Sequence, residues 1–327
     1  MTTTLTTDIP ALGVYAHLLP PSWKSSIREW LDEDTPSFDY GGFVVGEEEQ
    51  TAQLLGKGKT EAVLAGVPFF EEVFKQVGCT VEWHLQEGQT FTPITLIATV
   101  RGPARQLLLG ERVGLNTLAR CSGIATKSRR LLTLAREQGY KGIIAGTRKT
   151  TPGFRLVEKY GMLVGGIDAH RYDLSSMVML KDNHIWSKGS ITQAVQAARS
   201  VSGFSLRIEV ECQSLAEGRE AVQAGADVIM LDNLEGEELF SAARTLKSEW
   251  RDRMKAGDFD QMAGNGAGQG AAKGFLIESS GNVEEGNLKG RLSNDIDIIS
   301  TSSVHQSTQH IDFSLKIRPK NAPQPSV

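Results

Sequence analysis

Six short β-rich runs punctuate the second half of the chain: KGIIAGT (141–147), MVMLKDNH (177–184), SLRIEVEC (205–212), ADVIMLDN (226–233), GFLIESSG (274–281) and DIDIISTSS (295–303). Helix-forming stretches separate them. Ile191, Ala194, Val195 and Ala198 share one helical face, and Ser214 followed by Glu217 reads as a capping box on a helix closed by Gly225. Strands and helices in strict alternation predict parallel β/α units, and repeats of roughly 20–30 residues suit a barrel. A doubly wound open sheet calls for G-x-G-x-x-G after its first strand. None follows KGIIAGT, so the barrel is favoured.

The first half reads differently. Residues 1–100 predict a small α+β unit, with helices over 20–32 and 58–77 and strands over 79–86 and 94–100. Ala104 to Gln138 carries helical periodicity, interrupted near Ser122-Gly123 and ended by Gly139. That pattern predicts two helices with the hinge between domains. Residues 251–273, RDRMKAGDFDQMAGNGAGQGAAK, hold too many Gly and small residues for a core and predict a flexible surface insertion. The length, 327 residues, accommodates two domains or one barrel-sized domain with an appendage.

Several function classes fall away. No apolar run approaches the roughly 18 residues that a membrane helix needs, which excludes a helical membrane protein. The amino end, MTTTLTTDIP, has no basic or apolar leader pattern, and NAPQPSV matches no address signal, so the expected location is the cytoplasm. Cys79, Cys121 and Cys212 are odd in number and spaced for neither a disulfide framework nor a zinc site.

Charge is unevenly placed. The chain carries a net charge of −4, yet Arg101 to Lys181 holds fifteen Lys or Arg against five acids, a local balance of +10. Arg129, Arg130 and Arg136 are explained by a solvated helix face. Arg148, Lys149, Arg171 and Lys181 stand instead where apolar runs meet Gly-rich turns, and predict an anion site.

In a β/α barrel the strand carboxyl ends converge on one mouth. Nearly every run here closes on polar residues: Thr147, Arg148 and Lys149; Lys181, Asp182, Asn183 and His184; Glu209 and Glu211; Asp232 and Asn233; Ser279, Ser280 and Gly281; Ser300 to Ser303. Any single one is an ordinary turn former. Six in succession point to a pocket. Lys and Arg neutralise phosphate oxygens, while acids accept from sugar hydroxyls or hold Mg²⁺, so a phosphorylated sugar is the natural ligand. Arg148, Arg171 and His170 together would also grip a planar dicarboxylate.

The strings GTRKTTPGFR (146–155), GGIDAHRYDLSSMVMLKDNHI (165–185), IEVEC (208–212), LDN (231–233) and DFSLK (312–316) make the chain resemble the quinolinate phosphoribosyltransferase family, from about residue 10 to 318. The resemblance implies an α/β fold: an amino-terminal α/β sandwich, residues 1–120 joined by 307–327, beside an incomplete, roughly seven-stranded α/β barrel, 121–306. The 251–273 insertion is the main departure. It implies quinolinate and 5-phosphoribosyl-1-diphosphate as substrates, Mg²⁺ as cofactor, no nucleic-acid or membrane partner, and a homodimer, in some members a hexamer. The resemblance also implies shared active sites, with Arg112 of the GERVGLN helix reaching the neighbouring copy.

By motif position, Arg112, Arg148, His170 and Arg171 resemble the quinolinate-gripping set, with Lys149 and Lys181 between acceptor and phosphates. Glu211 and Asp232, rather than Glu209, resemble the pair that meets the ribose hydroxyls and the Mg²⁺-associated diphosphate. For the 5′-phosphate the family has Ser-Gly-Gly and a later glycine, where this chain has Ser280-Gly281-Asn282 and Ser302. Rival readings are a nicotinate-using phosphoribosyltransferase of the same barrel type, a Schiff-base aldolase using Lys181, and a polyanion-binding surface. The last lacks interleaved aromatics.

Overall fold

The fold is that of a computed structural model, which describes residues 13–256 and 274–318. In chain order the first elements are α1 (Trp23–Asp34), α2 (Tyr40–Val45), β1 (Glu49–Gly56), β2 (Ala62–Val63), α3 (Val67–Gln76), β3 (Thr80–Trp83), β4 (Thr90–Phe91) and β5 (Thr95–Pro103). Helix α4 (Ala104–Glu137) leads to β6 (Ile143–Ala145), α5 (Arg155–Gly165), β7 (Val178–Leu180), α6 (Asp182–Lys188) and α7 (Ile191–Ser202). Then come β8 (Ile208–Cys212), α8 (Leu215–Gln223), β9 (Val228–Asp232), α9 (Gly236–Ala256), β10 (Leu276–Ser280), β11 (Ile298–Ser300), α10 (Ser303–Gln306) and β12 (Phe313–Ile317).

The chain divides into two compact units. The first takes the residues up to Arg130, Thr150–Ile167 and the stretch from Ser307. Its antiparallel sheet has the order β12-β1-β5-β3, so the DFSLK tail returns to pair with β1, Leu54 opposite Leu315. Phe69, Phe70 and Phe74 of α3 are fully buried in its core with Ile27, Leu54 and Leu107. Each such side chain contributes about 1.5–3 kcal/mol by leaving water. The helix expected over 58–77 is confined to 67–76. Gly66, at φ +100°, starts it with Pro68 in its first turn, and β2 takes part of the preceding segment.

Helix α4 corrects a second expectation, for it runs unbroken over 34 residues through Ser122-Gly123. The two residues serve packing. The Ser122 hydroxyl donates to the Ala65 carbonyl and accepts from the Ala65 N–H, both at 3.0 Å, while a Cβ on Gly123 would run into the Gln309 carbonyl. Nor is Arg129 on a solvated face: it is buried and donates to Gly165 O (3.1 Å) and Val164 O (3.0 Å), satisfying carbonyls at the end of α5.

The second unit, Leu131–Lys149 with Asp168–Gln306, holds the six predicted strands in one parallel sheet of order β6-β11-β10-β9-β8-β7. Helix α7 packs on β7 and β8, and α8 on β8 and β9. Among the described residues six strands form where roughly seven were expected; beyond β6 a parallel bridge, Ala145 to Asp168, follows. Helix α9 extends through Ala256, so the first six residues of the expected insertion are helical; 257–273 lie outside the described residues. The three cysteines are buried and free. No helix among the described residues is long and apolar enough to cross a membrane.

Candidate active site

The register of the second sheet decides which strand residues share a face. Met179 pairs with Glu209 and Glu209 with Val228; Glu211 pairs with Met230, Met230 with Glu278, and Asp232 with Ser280. Side chains alternate along a strand, so Lys181, Glu209, Glu211, Asp232, Glu278 and Ser280 belong to one face. Ile208, Val210, Ile229, Leu231 and Ile277 occupy the other and are buried. Ser279 falls on that apolar face and is fully buried, so it is not a rim hydroxyl. Thr301 and Ser303 are also buried, hydrogen-bonded to each other at 2.9 Å.

The cationic end lies beyond β6 and before β7. Arg148 and Lys149 are exposed, and the turn carrying them is held where Thr147 Oγ1 accepts from Lys149 N–H (3.0 Å) and meets His305 Nε2 (3.0 Å). The Arg171 guanidinium is half-buried, donating to Met177 O at 3.3 Å and lying 3.3 Å from Met179 Sδ. Burial lowers its affinity for a proton, and the nearby charge of Arg148 lowers it further, while Glu209 and Glu278 oppose both. Two guanidinium groups that feel each other's charge suit an anionic ligand.

His170 has a left-handed backbone, φ +57°, with Asp168 Oδ1 accepting from its N–H at 2.6 Å. Its Nδ1 accepts from Arg171 N–H at 2.7 Å, and its Nε2 faces Glu278 Oε2 at 3.3 Å and Glu209 Oε2 at 4.0 Å. Glu209 is fully buried and neither carboxyl oxygen meets a donor. Burial first, and then neighbouring Glu278, push its carboxyl well above the ordinary range. The ligand atoms of His170, Glu209 and Glu278 lie within 4.8 Å of one another.

Toward β9 the rim turns acidic. Lys181 Nζ pairs with Glu211, and Asp232 Oδ2 accepts from Asn233 Nδ2 (2.6 Å) and Gln213 Nε2 (3.3 Å). Lys181 also precedes α6, whose first residues are Asp182, Asn183 and His184, and its backbone N–H donates to His184 Nδ1 at 3.1 Å. The loops after β9 and β10 interlock. Gly281 (φ +103°) has no room for a Cβ beside Asn233, and Asn282 (φ +46°) adopts a left-handed conformation that asparagine tolerates better than most residues. Arg291, buried, ties both loops by donating to Leu234 O and Gly281 O at 2.9 Å each.

The second unit therefore brings Arg148, Lys149, His170, Arg171, Lys181, Glu211, Asp232, Ser280, Gly281 and Asn282 to one set of strand ends, with Ser302 at the start of α10. Arg112 stands exposed on α4 in the other unit. Glu278 and Arg291 were not among the expected site residues. An acid inside the apolar run LIESS was the available signal for Glu278. Nothing in the sequence marked Arg291, whose partners are carbonyls of distant loops and the Glu235 carboxylate.

Two family models account for most of the chain: the quinolinate phosphoribosyl transferase N-terminal domain over 39–122 and C-terminal domain over 124–316. The nicotinate-nucleotide pyrophosphorylase (carboxylating) of Rattus norvegicus is 46% identical over 301 residues, 92% of this chain and 93% of the relative. The Homo sapiens protein of the same name is 45% identical over 314 residues, covering 95% and 98%. The solved nicotinate-nucleotide pyrophosphorylase of Francisella tularensis superposes with a TM-score of 0.78 at 29% identity, over 92% of this chain and 98% of that one. Strand ends ordered from cations to acids, in a chain matched by both family models and by relatives over more than 90% of their length, have one reading: this chain belongs to the quinolinate phosphoribosyl transferase family.

Proposed function

We propose that this protein transfers the 5-phosphoribosyl group of 5-phosphoribosyl-1-diphosphate to quinolinate, releasing diphosphate and carbon dioxide and leaving nicotinate mononucleotide, a step of NAD biosynthesis. The observation that carries the reading is the run of charge along one rim: the neighbouring cations Arg148 and Arg171 at one end, Glu211 and Asp232 at the other. Such a rim suits a diacid beside a hydroxylated, phosphorylated sugar.

In this reading Arg148, His170 and Arg171 bind quinolinate, joined by Arg112 of a second copy, and Lys149 and Lys181 lie between acceptor and phosphates. Glu211 and Asp232 receive the ribose hydroxyls. Ser280, Gly281, Asn282 and Ser302 receive the 5′-phosphate, and the left-handed backbone at Gly281 and Asn282 supports donation from backbone N–H groups. Glu211 and Asp232 offer hard oxygens from neighbouring strands, which fit a Mg²⁺ that takes one or two carboxylates and draws its other oxygens from phosphates and water. Bound there, the ion supplies neutralisation for the departing diphosphate.

The chain's own groups do the rest by position. The arginines hold the ring so that its nitrogen faces the ribose carbon as the bond to diphosphate breaks, and the Lys149 and Lys181 ammonium groups sit where negative charge builds. The new pyridinium nitrogen then draws the electron pair of the adjacent carboxylate bond, and the ring carbon takes up one proton as carbon dioxide leaves. Arg112 and Lys149 hold the carboxylate that stays.

The protein works as a cytoplasmic homodimer, capable of further assembly into a hexamer, with no nucleic-acid or membrane partner. An apolar patch supports self-association: Phe38, Tyr40, Phe43 and Val44 are exposed around α2, Phe43 by 90%, on a helix fixed by Asp39 capping Gly42 N–H at 2.8 Å. Return of β12 to β1 supports joining 307–327 to the first domain, expected over 1–120, beside a catalytic domain expected over 121–306; the compact units move that division by giving 121–130 and 150–167 to the first. Carbon dioxide release that requires quinolinate, 5-phosphoribosyl-1-diphosphate and Mg²⁺ together is the expected result of the decisive assay. Turnover of nicotinate but not quinolinate would assign the rival phosphoribosyltransferase activity instead.

A further inference from the structure

The roles above leave Glu278 without work, although it lies on the reactive face of the sheet and is 1% exposed. A buried carboxylate persists only where donors compensate it. Here Ser300 Oγ donates to Oε1 at 2.5 Å, and His170 Nε2 lies 3.3 Å from Oε2. The other ring nitrogen, Nδ1, accepts from Arg171 N–H at 2.7 Å. An accepting Nδ1 places the ring proton on Nε2, directed at the carboxylate. One imidazole thus spans from the middle of β10 to the backbone of Arg171, across the left-handed turn at His170. Glu278 also sets negative charge beside the Arg171 guanidinium, which burial and Arg148 both disfavour.

We propose that Glu278 is a positioning residue for acceptor recognition: it fixes the tautomer and orientation of His170, which fixes the Arg171 amide, so that Arg171 meets the acceptor's carboxylate while its charge stays balanced. This rests on reading the mouth as the quinolinate site. Glu278 touches neither substrate, and its effect falls on one of them only. Although His170, Glu209 and Glu278 have ligand atoms within 4.8 Å of one another, the adjacent Arg171 and Lys181 already supply positive charge to the acids, which argues against a metal there.

The test uses the full chain. In Glu278→Gln, which keeps shape and loses charge, KM for quinolinate rises roughly ten- to a hundredfold, while KM for 5-phosphoribosyl-1-diphosphate stays within about threefold. Ser300→Ala keeps the charge and loses one anchor, and raises the quinolinate KM by roughly three- to tenfold. Should Glu278→Gln fail to fold, the serine variant and the ¹⁵N signals of His170 in the unaltered protein carry the test, the latter showing the Nε2-protonated tautomer. Equal losses for both substrates, unchanged kinetics in the variants, or an Nδ1-protonated His170 would overturn the inference alone. An unaltered enzyme that releases no carbon dioxide from quinolinate would overturn the functional reading and this inference with it.

Discussion

Arg148 and Arg171 are neighbours of like charge with different surroundings. Arg171 is half-buried and held by Met177 O and the charge of Glu278, whereas Arg148 is exposed on a turn that Thr147 and His305 steady. An anion that joins them gains a charge-assisted bond from each, about 1.5–3 kcal/mol apiece. Arg148→Ala is therefore expected to raise KM for quinolinate by roughly ten- to a hundredfold and to leave the sugar diphosphate almost unaffected. Steady-state kinetics with each substrate varied in turn checks this, and equal losses would contradict it. At this scale the sequence was legible where alternation spoke. Lys181, Glu211 and Asp232 each close an apolar run, and the sheet register sets all three on one face. Glu278 lies inside the run GFLIESSG, and only the pairing of β10 with β9 shows that it shares a face with Glu211 and Asp232. Arg291 acts through carbonyls of residues 234 and 281, a relation that leaves no local pattern.

At the scale of elements, the amino end of α3 carries an unusual cap. Glu87 accepts from Gly66 N–H (2.8 Å) and Val67 N–H (3.0 Å), two groups that the helix itself leaves unpaired. Burial nevertheless dominates and pushes the Glu87 carboxyl up from 4.5 to about 7, against those bonds and one from Tyr160. The native state thus binds the proton more tightly than the unfolded chain does. The corresponding stability is fully present below about pH 4.5 and is lost as pH rises through about 7, by about 1–3 kcal/mol. Denaturation midpoints between pH 4.5 and 8 should fall through this window in the unaltered protein, on top of its other titrations. In Glu87→Gln, which cannot titrate, the fall should flatten; identical profiles for the two proteins would refute the assignment. The six strands and the helix over 20–32 were readable because period-two and period-3.6 patterns are local. The length of α4 was not. Serine and glycine weaken a helix by propensity, and their use as contacts to Ala65 and Gln309 depends on segments 57 and 186 residues away.

At the scale of the molecule, the proposal draws each active site from two chains. The cations proposed to bind anions, Arg148, Lys149, Arg171 and Lys181, belong to one compact unit, and Arg112, proposed for the same quinolinate, stands exposed in the other. If Arg112 serves a second copy, a chain lacking it damages its partner's site and not its own. This separates sharing from a purely architectural dimer. Arg112→Ala and Arg148→Ala homodimers are each expected to be severely impaired at limiting quinolinate. In a mixed dimer one site receives an intact Arg148 from the first chain and an intact Arg112 from the second, while the other site lacks both. Random assembly makes half the dimers mixed and repairs one site in each, so co-expression should restore about a quarter of the unaltered activity. The readout is carbon dioxide release at low quinolinate, with sedimentation confirming that both variants still associate. If the mixed population is no more active than its parents, Arg112 does not act across the interface.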